Sequence, residues 1–199
     1  MIERFRDDWL IVVDKPTGLP TQQGPQGGDN LFDRLRDAHA YVGLHHRLDT
    51  PASGLLLFTL DRGMNQAIAD ALRDHTVRRT YLAILYGELD HDAIWTQPID
   101  RKPARTTVEV KASHRGLVAT QIELHTGRTH QIRKHAAMAG VPICGDRRYG
   151  AEAGRRWPRL ALHAHQLSLT HPATGELLTV TSPVPDDLVE LWAQATESS

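Results

Sequence analysis

Hydrophobic and polar residues follow each other along the chain in short stretches typical of β-strands separated by turns. The segment 55–60 is apolar and has the length of a buried strand. In 118–124, Val118, Thr120 and Ile122 alternate with their neighbours, which predicts a half-buried strand. Similar patterns predict further strands at 9–13, 80–86, 160–169 and 177–181.

Helical signals separate these strands. Asp29 or Asn30 can cap a helix that begins at Leu31 and ends before Gly43. Apolar residues recur every four positions in 61–74, which predicts an amphipathic helix. Two further helices are predicted at 129–139, stopped by Gly140 and Pro142, and from Pro185 and Asp186 onward.

The order of these elements indicates the fold class. Strands outnumber helices and often follow each other directly, whereas a doubly wound fold needs regular βαβ alternation. We find no repeat, no low-complexity tract and no convincing linker. The sequence therefore predicts an α+β protein with a mixed, mostly antiparallel sheet and flanking helices, forming a single domain over residues 1–199.

Composition excludes several classes of protein. The chain has 199 residues, of which 40% are hydrophobic and 24% charged, as in soluble globular proteins. The apolar runs are far shorter than the ~20 residues that cross a bilayer, and the charged N-terminus is not followed by the apolar segment of a secretory signal. Cys144 is the only cysteine, which excludes an internal disulfide. We expect a cytoplasmic protein with no membrane partner.

Charge is balanced overall but unevenly distributed. The formal net charge is −1, so bulk charge gives no support for a nucleic-acid partner. Acidic residues gather toward the two ends, and the middle of the chain is locally basic. Such a cluster is often only a solvated face. The basic residues of the middle are Arg101, Lys102, Arg105, Arg128, Arg133, Lys134, Arg147, Arg148, Arg155, Arg156 and Arg159.

The densest polar group is the sequence His-His-Arg-Leu-Asp at 45–49, directly before the buried strand. A carboxylate on a loop ahead of a rigid strand is well placed to act as a fixed catalytic group, which makes Asp49 a candidate. In this segment alone, an Asp beside an Arg is more often part of a structural ion pair or a turn cap.

A second polar group occupies 126–135, at the start of the third predicted helix. Gly127 permits a close approach, Thr129 can cap the helix, and Arg128, His130 and Arg133 crowd its first turn. A helix N-terminus carries partial positive charge, so these cations need an anion nearby. That anion can be a phosphate or a carboxylate of a ligand, or an Asp or Glu of the same fold.

Four separated motifs together resemble the RluA family of RNA pseudouridine synthases. The similarity begins near DWLIVVDKPTGL at 8–19, runs to Pro183-Val184-Pro185 and so covers almost the whole chain. Several motifs in the family's order make a chance match improbable. They are HRLDTPASGLLLF, RRTYLAILYGEL, TGRTHQIRKHAAMAGVPICGDRRYG and LALHAHQLSLTHPATGE.

The resemblance implies an enzyme that isomerises a uridine within RNA to pseudouridine without a cofactor. In the motif match Asp49 is the catalytic carboxylate, as nucleophile or stabiliser of a cationic sugar. Arg47 enters the RNA stack and helps eject the base. Tyr81 lies against the uracil and offers a hydroxyl for proton transfer, and Arg133 pairs with the catalytic carboxylate and keeps it ionised.

The remaining implied site residues surround the substrate. Ile132 and Leu162 would be apolar walls of the uracil pocket, although core packing explains either equally well. Arg128, Thr129 and His130 would contact the substrate or RNA. The implied partner is tRNA, large-subunit rRNA or both, and we expect a monomer.

The chain departs from the family pattern in three places. Ala52 stands where members usually have Thr, so one hydroxyl that could brace the catalytic loop is missing. Arg79 stands where a basic residue, commonly Lys, precedes the tyrosine. The small N-terminal RNA-binding module of many relatives is expected to be absent, so the catalytic domain alone would bind RNA.

Two alternatives from other classes stay open at this point. The chain has 12 histidines, and His163 with His165, or His130 with His135, could suggest a metal-dependent hydrolase. No HExxH or comparable carboxylate spacing accompanies them. The second alternative is a relative that binds RNA and has lost catalysis, against which the presence of Asp49, Tyr81 and Arg133 argues.

Overall fold

The computed structural model describes residues 2–24, 27–151, 154 and 156–197. In chain order, the strands and helices are β1 (Ile2–Arg6), β2 (Leu10–Lys15), α1 (Leu31–Ala38), β3 (Gly43–Leu44), β4 (Ser53–Thr59), α2 (Asn65–Arg73), β5 (Arg78–Tyr86), β6 (Ala93–Trp95), β7 (Thr106–His114), β8 (Leu117–Leu124), α3 (Gln131–Met138), β9 (Leu162–Thr170), β10 (Leu177–Thr181) and α4 (Asp186–Thr196).

These elements confirm the predicted α+β class with a mostly antiparallel sheet. The chain divides into two compact units. The first comprises Met1–Arg78 and Ala164–Ser182, and the second comprises Arg79–His163 and Pro183–Ser199. The expectation of one catalytic domain over the whole chain stays a prediction.

The first unit is built on strands β1, β2 and β4, next to which lies β9 from Ala164 onward. Strand β2 runs antiparallel to β4, with Leu10 opposite Thr59 and Lys15 opposite Gly54. Short β3 pairs with β4, and β10 pairs antiparallel with β9. This register brings the end of β2 beside the start of β4, where the turn that carries Asp49 ends.

Alternating apolar positions of these strands form the core of the first unit. Helix α2 adds Ile68 to this cluster, and Asn30 caps α1 by accepting a hydrogen bond from the Asp33 N–H. Burying each such side chain contributes roughly 1.5–3 kcal/mol before entropy is counted. The buried cluster consists of Leu10, Val12, Leu55, Leu57, Ile68, Val77, Leu167, Leu169 and Val180.

The second unit contains the antiparallel strands β5, β8, β7 and β6, in that order. Tyr81 of β5 lies opposite Ile122 of β8. Helix α4 packs against β7 and β8, and α3 contacts β7. This arrangement fixes α3, which carries Ile132 and Arg133, beside the sheet.

The structure confirms the six predicted strands and corrects two helices. The segment 61–74 is a short 3-10 turn at Arg62–Met64 followed by α2, because Asp61 caps this turn by accepting from the Gly63 N–H at 2.6 Å. Helix α3 begins at Gln131, two residues after the expected start. Strands β1, β3, β6 and β7 were not predicted.

Candidate active site

Asp49 lies in a tight turn between β3 and β4, closed by a hydrogen bond of 3.0 Å from the Ala52 N–H to the Asp49 carbonyl oxygen. Its neighbours differ in burial. Leu48 is only 6% exposed and anchors the turn in the core, whereas Arg47 is exposed and Asp49 half-buried. The turn therefore presents an arginine and a carboxylate from a fixed base.

A buried lysine holds this turn. The Lys15 ammonium is 1% exposed and donates to the carbonyl oxygens of Thr50 at 3.2 Å and Ala52 at 2.6 Å. It also donates to the carbonyls of Pro16 at 2.9 Å and Leu19 at 2.8 Å. A buried charge is tolerated only when it is well hydrogen-bonded. Lys15 thus ties the residues after β2 to the part of the turn that follows Asp49.

The segment that follows Lys15 adds further contacts with the turn. The Thr17 hydroxyl donates to the Pro51 carbonyl at 2.8 Å, and the Gly18 N–H donates to the Thr50 carbonyl at 2.8 Å. The Thr21 hydroxyl donates to the Leu48 carbonyl at 2.9 Å and accepts from the Leu48 N–H at 3.1 Å. Segment 15–21 therefore binds the backbone on both sides of Asp49. These contacts fix the position of the Asp49 backbone, from which the carboxylate side chain extends.

The two histidines before Arg47 have structural partners. His45 Nε2 lies 3.0 Å from the Thr59 hydroxyl, and burial lowers the pKa of His45. His46 Nε2 accepts from the Leu57 N–H at 3.0 Å. Both contacts attach the segment that precedes Asp49 to strand β4.

Three of the expected uracil-pocket residues lie buried in the second unit. Tyr81, Ile132 and Leu162 are 6%, 4% and 5% exposed. They come from β5, the first turn of α3 and the first position of β9. Their burial is compatible both with apolar pocket walls and with core packing, so their proposed roles stay predictions.

Arg133 forms a buried ion pair with Asp146, a residue that sequence reasoning missed. Its Nε donates to one carboxylate oxygen and its Nη2 to the other, each at 2.8 Å. The two side chains are only 6% and 1% exposed. The anion expected beside the helix start is thus supplied, for Arg133, by the same fold. The pairing of Arg133 with Asp49 would join residues of different units and stays a prediction.

The start of α3 differs from the expected cap. His130, not Thr129, is the residue before the helix, and it has a left-handed backbone with φ 55°. The Gln131 side chain supports the turn by accepting from the Arg128 N–H at 3.0 Å and from the Thr126 hydroxyl at 2.7 Å. His130 makes no side-chain cap hydrogen bond, and Gln131 fixes the turn that leads into the helix.

The half-buried side chains of this turn make polar contacts. His130 Nδ1 lies 2.8 Å from the Tyr149 hydroxyl, and Arg128 Nε donates to the Pro103 carbonyl at 3.0 Å. At Gly127 an added Cβ would lie 3.3 Å from Nη1 of Arg79, which confirms a close approach here. The approaching group is the basic residue that precedes Tyr81 by two positions.

Comparison with known proteins assigns the chain to a family. Residues 9–138 match the family model described as RNA pseudouridylate synthase. The chain belongs to the RNA pseudouridylate synthase family. It is 38% identical, over 94% of its length, to ribosomal large subunit pseudouridine synthase D of Nitrosomonas europaea, of which it spans 63%. It is 34% identical, over 89% of its length, to dual-specificity RNA pseudouridine synthase RluA of Pasteurella multocida, spanning 90% of that protein.

Solved structures show the same fold as this pseudouridylate synthase family member. The human RNA pseudouridylate synthase domain containing 1 superimposes with a TM-score of 0.79 at 24% identity, over 98% of this chain and 87% of that one. Human RNA pseudouridylate synthase domain containing 4 gives 0.77 at 22% identity, over 96% and 92%. At these identities the likeness supports the fold alone.

The histidines considered for a metal site have other partners. His135 uses both ring nitrogens, at 2.9 Å from the Thr106 hydroxyl and 2.9 Å from the Gln97 carbonyl. His165 Nδ1 lies 2.5 Å from the Ser182 carbonyl. Within the described ranges, no group of three or more His, Cys, Asp or Glu residues is arranged to hold a metal ion. Within the same ranges, no helix is long and apolar enough to span a membrane.

Proposed function

We propose that this chain isomerises a uridine within structured RNA to pseudouridine, with Asp49 as the catalytic carboxylate. The observation that carries the proposal is the turn around Asp49. A half-buried carboxylate follows an exposed arginine, and the backbone around it is hydrogen-bonded to segment 15–21. Such pre-organisation suits a group that must meet one sugar carbon in one geometry.

The proposed reaction conserves all atoms of the nucleotide. The bond from N1 of the uracil to C1′ of the ribose breaks, the uracil turns, and a bond forms from C5 to C1′. C5 then loses its proton, and N1 gains one. Asp49 acts as nucleophile or as stabiliser of the cationic sugar, and the Tyr81 hydroxyl serves proton transfer. No redox cofactor or metal is required for this balance.

The remaining residues have supporting roles in the proposal. Arg47 enters the RNA stack and promotes ejection of the target base, for which a planar, exposed cation is suited. Arg133 keeps the catalytic carboxylate ionised. Ile132 and Leu162 form apolar walls for the uracil, while Arg128, Thr129 and His130 contact the substrate.

RNA binding is proposed to use local basic surface, since the net charge is only −1. Asp100 and Arg101 form the tip of a tight turn in which Ile99 and Lys102 exchange two backbone hydrogen bonds of 3.0 Å. Both tip residues have positive φ, and Arg101 and Lys102 are exposed. Such residues can neutralise phosphates whatever the sequence of the RNA.

The substrate is proposed to be tRNA, large-subunit rRNA or both. This range rests on the names of similar proteins, one called a ribosomal large subunit enzyme and another dual-specificity. The test is chemical mapping of pseudouridine in total RNA from cells with and without the gene. We expect at least one pseudouridine to vanish on deletion and to return on complementation. An unchanged map in both RNA classes would contradict the proposed function.

A further inference from the structure

The ion pair between Arg133 and Asp146 is more completely buried than a stabilising pair needs to be. Withdrawing two charges from water costs several kcal/mol per ion, and a well-packed apolar pair is often as stable. The pair also lies one residue along α3 from Ile132, an expected wall of the uracil pocket. Stability alone therefore does not explain why this position holds two charges.

The geometry of the pair determines the direction of the guanidinium. Asp146 occupies the edge formed by Nε and Nη2, with two bonds of 2.8 Å. The Tyr149 ring covers a face of the same group, with its centroid 5.1 Å from the central carbon. A bidentate contact fixes the plane of an arginine, and an aromatic face resists its tilting. Arg133 therefore has one orientation in the second unit.

Asp146 is itself held in place. Its Oδ1 also accepts from the Arg148 N–H at 3.0 Å and the Tyr149 N–H at 3.1 Å. Burial raises its pKa, but the hydrogen bonds and charge of Arg133, with these two N–H groups, lower the pKa of Asp146 below its usual value. Asp146 thus stays ionised and keeps all four donors.

The backbone around Asp146 is closely packed at its glycines. Gly145 has φ +73°, and an added Cβ there would lie 1.8 Å from the Arg159 carbonyl oxygen. An added Cβ at Gly154 would lie 2.2 Å from the Asp146 carbonyl oxygen. Gly150 donates its N–H to that same oxygen at 2.8 Å. The glycines let the chain close tightly around the carboxylate.

We propose that Asp146 is a positioning residue for the reaction, fixing the guanidinium of Arg133 in the orientation in which it serves the Asp49 carboxylate. This inference rests on the function proposed above. Asp146 touches no reacting atom in this account and acts only through Arg133. Tyr149 assists by covering the guanidinium and by its contact with His130.

The first test is Asp146→Asn, which keeps the shape of the side chain but can no longer accept from both guanidinium nitrogens. Displacement of a reacting group by about 1 Å can cost about 100-fold in rate. We expect kcat on a fixed RNA substrate to fall about 100-fold, with less than a threefold change in KM. The matched control is Glu109→Gln, which makes the same carboxylate-to-amide change at an exposed partner of Lys111 in the second unit and should leave kcat unchanged.

Asp146→Glu covers the case in which Asp146→Asn does not fold. It keeps the charge but adds one methylene, so it displaces the guanidinium. A folded Asp146→Glu variant with kcat at least tenfold lower supports the proposal. A kcat within twofold of the wild type, in either folded variant, overturns it.

A readout independent of activity is the ¹⁵N–¹H signal of Arg133 Nε, assigned through its loss in Arg133→Lys. We expect slow hydrogen exchange of this signal in the wild type and fast exchange in Asp146→Asn. Fast exchange already in the wild type would overturn the inference. If the wild-type enzyme isomerises no RNA, the proposed function fails, and the exchange measurement still tests whether Asp146 orients Arg133.

Discussion

Replacing Lys15 by Met should damage both stability and catalysis, because one ammonium group holds the turn of Asp49. Methionine has a similar length, but it cannot donate to the four carbonyl oxygens that lie 2.6–3.2 Å from Nζ. The carbonyl of Ala52 accepts the shortest of these bonds, at 2.6 Å. The substitution therefore removes buried hydrogen bonds without creating a large cavity.

The magnitude follows from these contacts. A hydrogen bond to a charged group contributes ~1.5–3 kcal/mol, but the four acceptors share three N–H donors and Thr50 keeps its bond from Gly18, so the terms do not simply add. Each buried carbonyl oxygen left without a donor costs ~1–3 kcal/mol, so the loss for several of them together is several kcal/mol. At ~2–4 °C per kcal/mol for a chain of this size, Tm should fall by about 10 °C.

The assay combines thermal unfolding with single-turnover isomerisation below the lower Tm. We expect Lys15→Met to be at least tenfold slower than wild type even when saturated with RNA, because the carboxylate is no longer held. Lys111→Met is the matched control, since Lys111 makes one exposed ion pair with Glu109 and should shift Tm by no more than a few degrees. A Lys15→Met variant with wild-type Tm and rate would refute the idea that Lys15 holds the turn of Asp49.

Three further predictions concern the surface and the core. Arg47→Ala should slow the saturated single-turnover rate more than it weakens RNA affinity; an unchanged rate with lost affinity would make Arg47 only a phosphate contact. Neutralising Arg101 and Lys102 together should weaken the binding of all RNA sequences about equally. It should also reduce the slope of log Kd against log salt by about 2. A loss of affinity for some RNA sequences only would contradict this prediction. Burial raises the pKa of Cys144 to about 12, so its thiol should resist labelling at pH 8 until the protein is unfolded. Fast labelling of the native protein would show that this region opens.

Periodicity was sufficient to predict the strands that carry alternating or continuous apolar residues, since the pattern itself reflects burial. Strand β7 was not predicted, because polar and charged residues occupy its outward positions and its apolar residues are few. Thr106 and Val108 of this strand are nevertheless fully buried. The predicted start of the helix at 61–74 lies before the observed start of α2. Asp61 stands at the beginning of the apolar pattern, but it caps a separate 3-10 turn.

The supporting residues of the site could not be predicted in this way. Lys15 binds carbonyl oxygens 35 and 37 residues away, and a carbonyl carries no side-chain signal in the sequence. Asp146 pairs with Arg133, which lies 13 residues earlier in the sequence. In the sequence, only the glycines near Asp146 indicate the turn that brings the two together. Motif similarity indicated Asp49 and Arg133 directly, but the groups that position them became visible only in the folded chain.

The most direct test of the central claim is tritium release from RNA labelled at C5 of uridine, measured for the wild type and for Asp49→Asn. The amide has the shape of the carboxylate but is a poor nucleophile and carries no negative charge. We predict release by the wild type and none by Asp49→Asn, with an unchanged Tm and similar RNA affinity for the variant. Substantial release by well-folded Asp49→Asn would contradict the account, because catalysis would then not depend on the carboxylate around which the site is built.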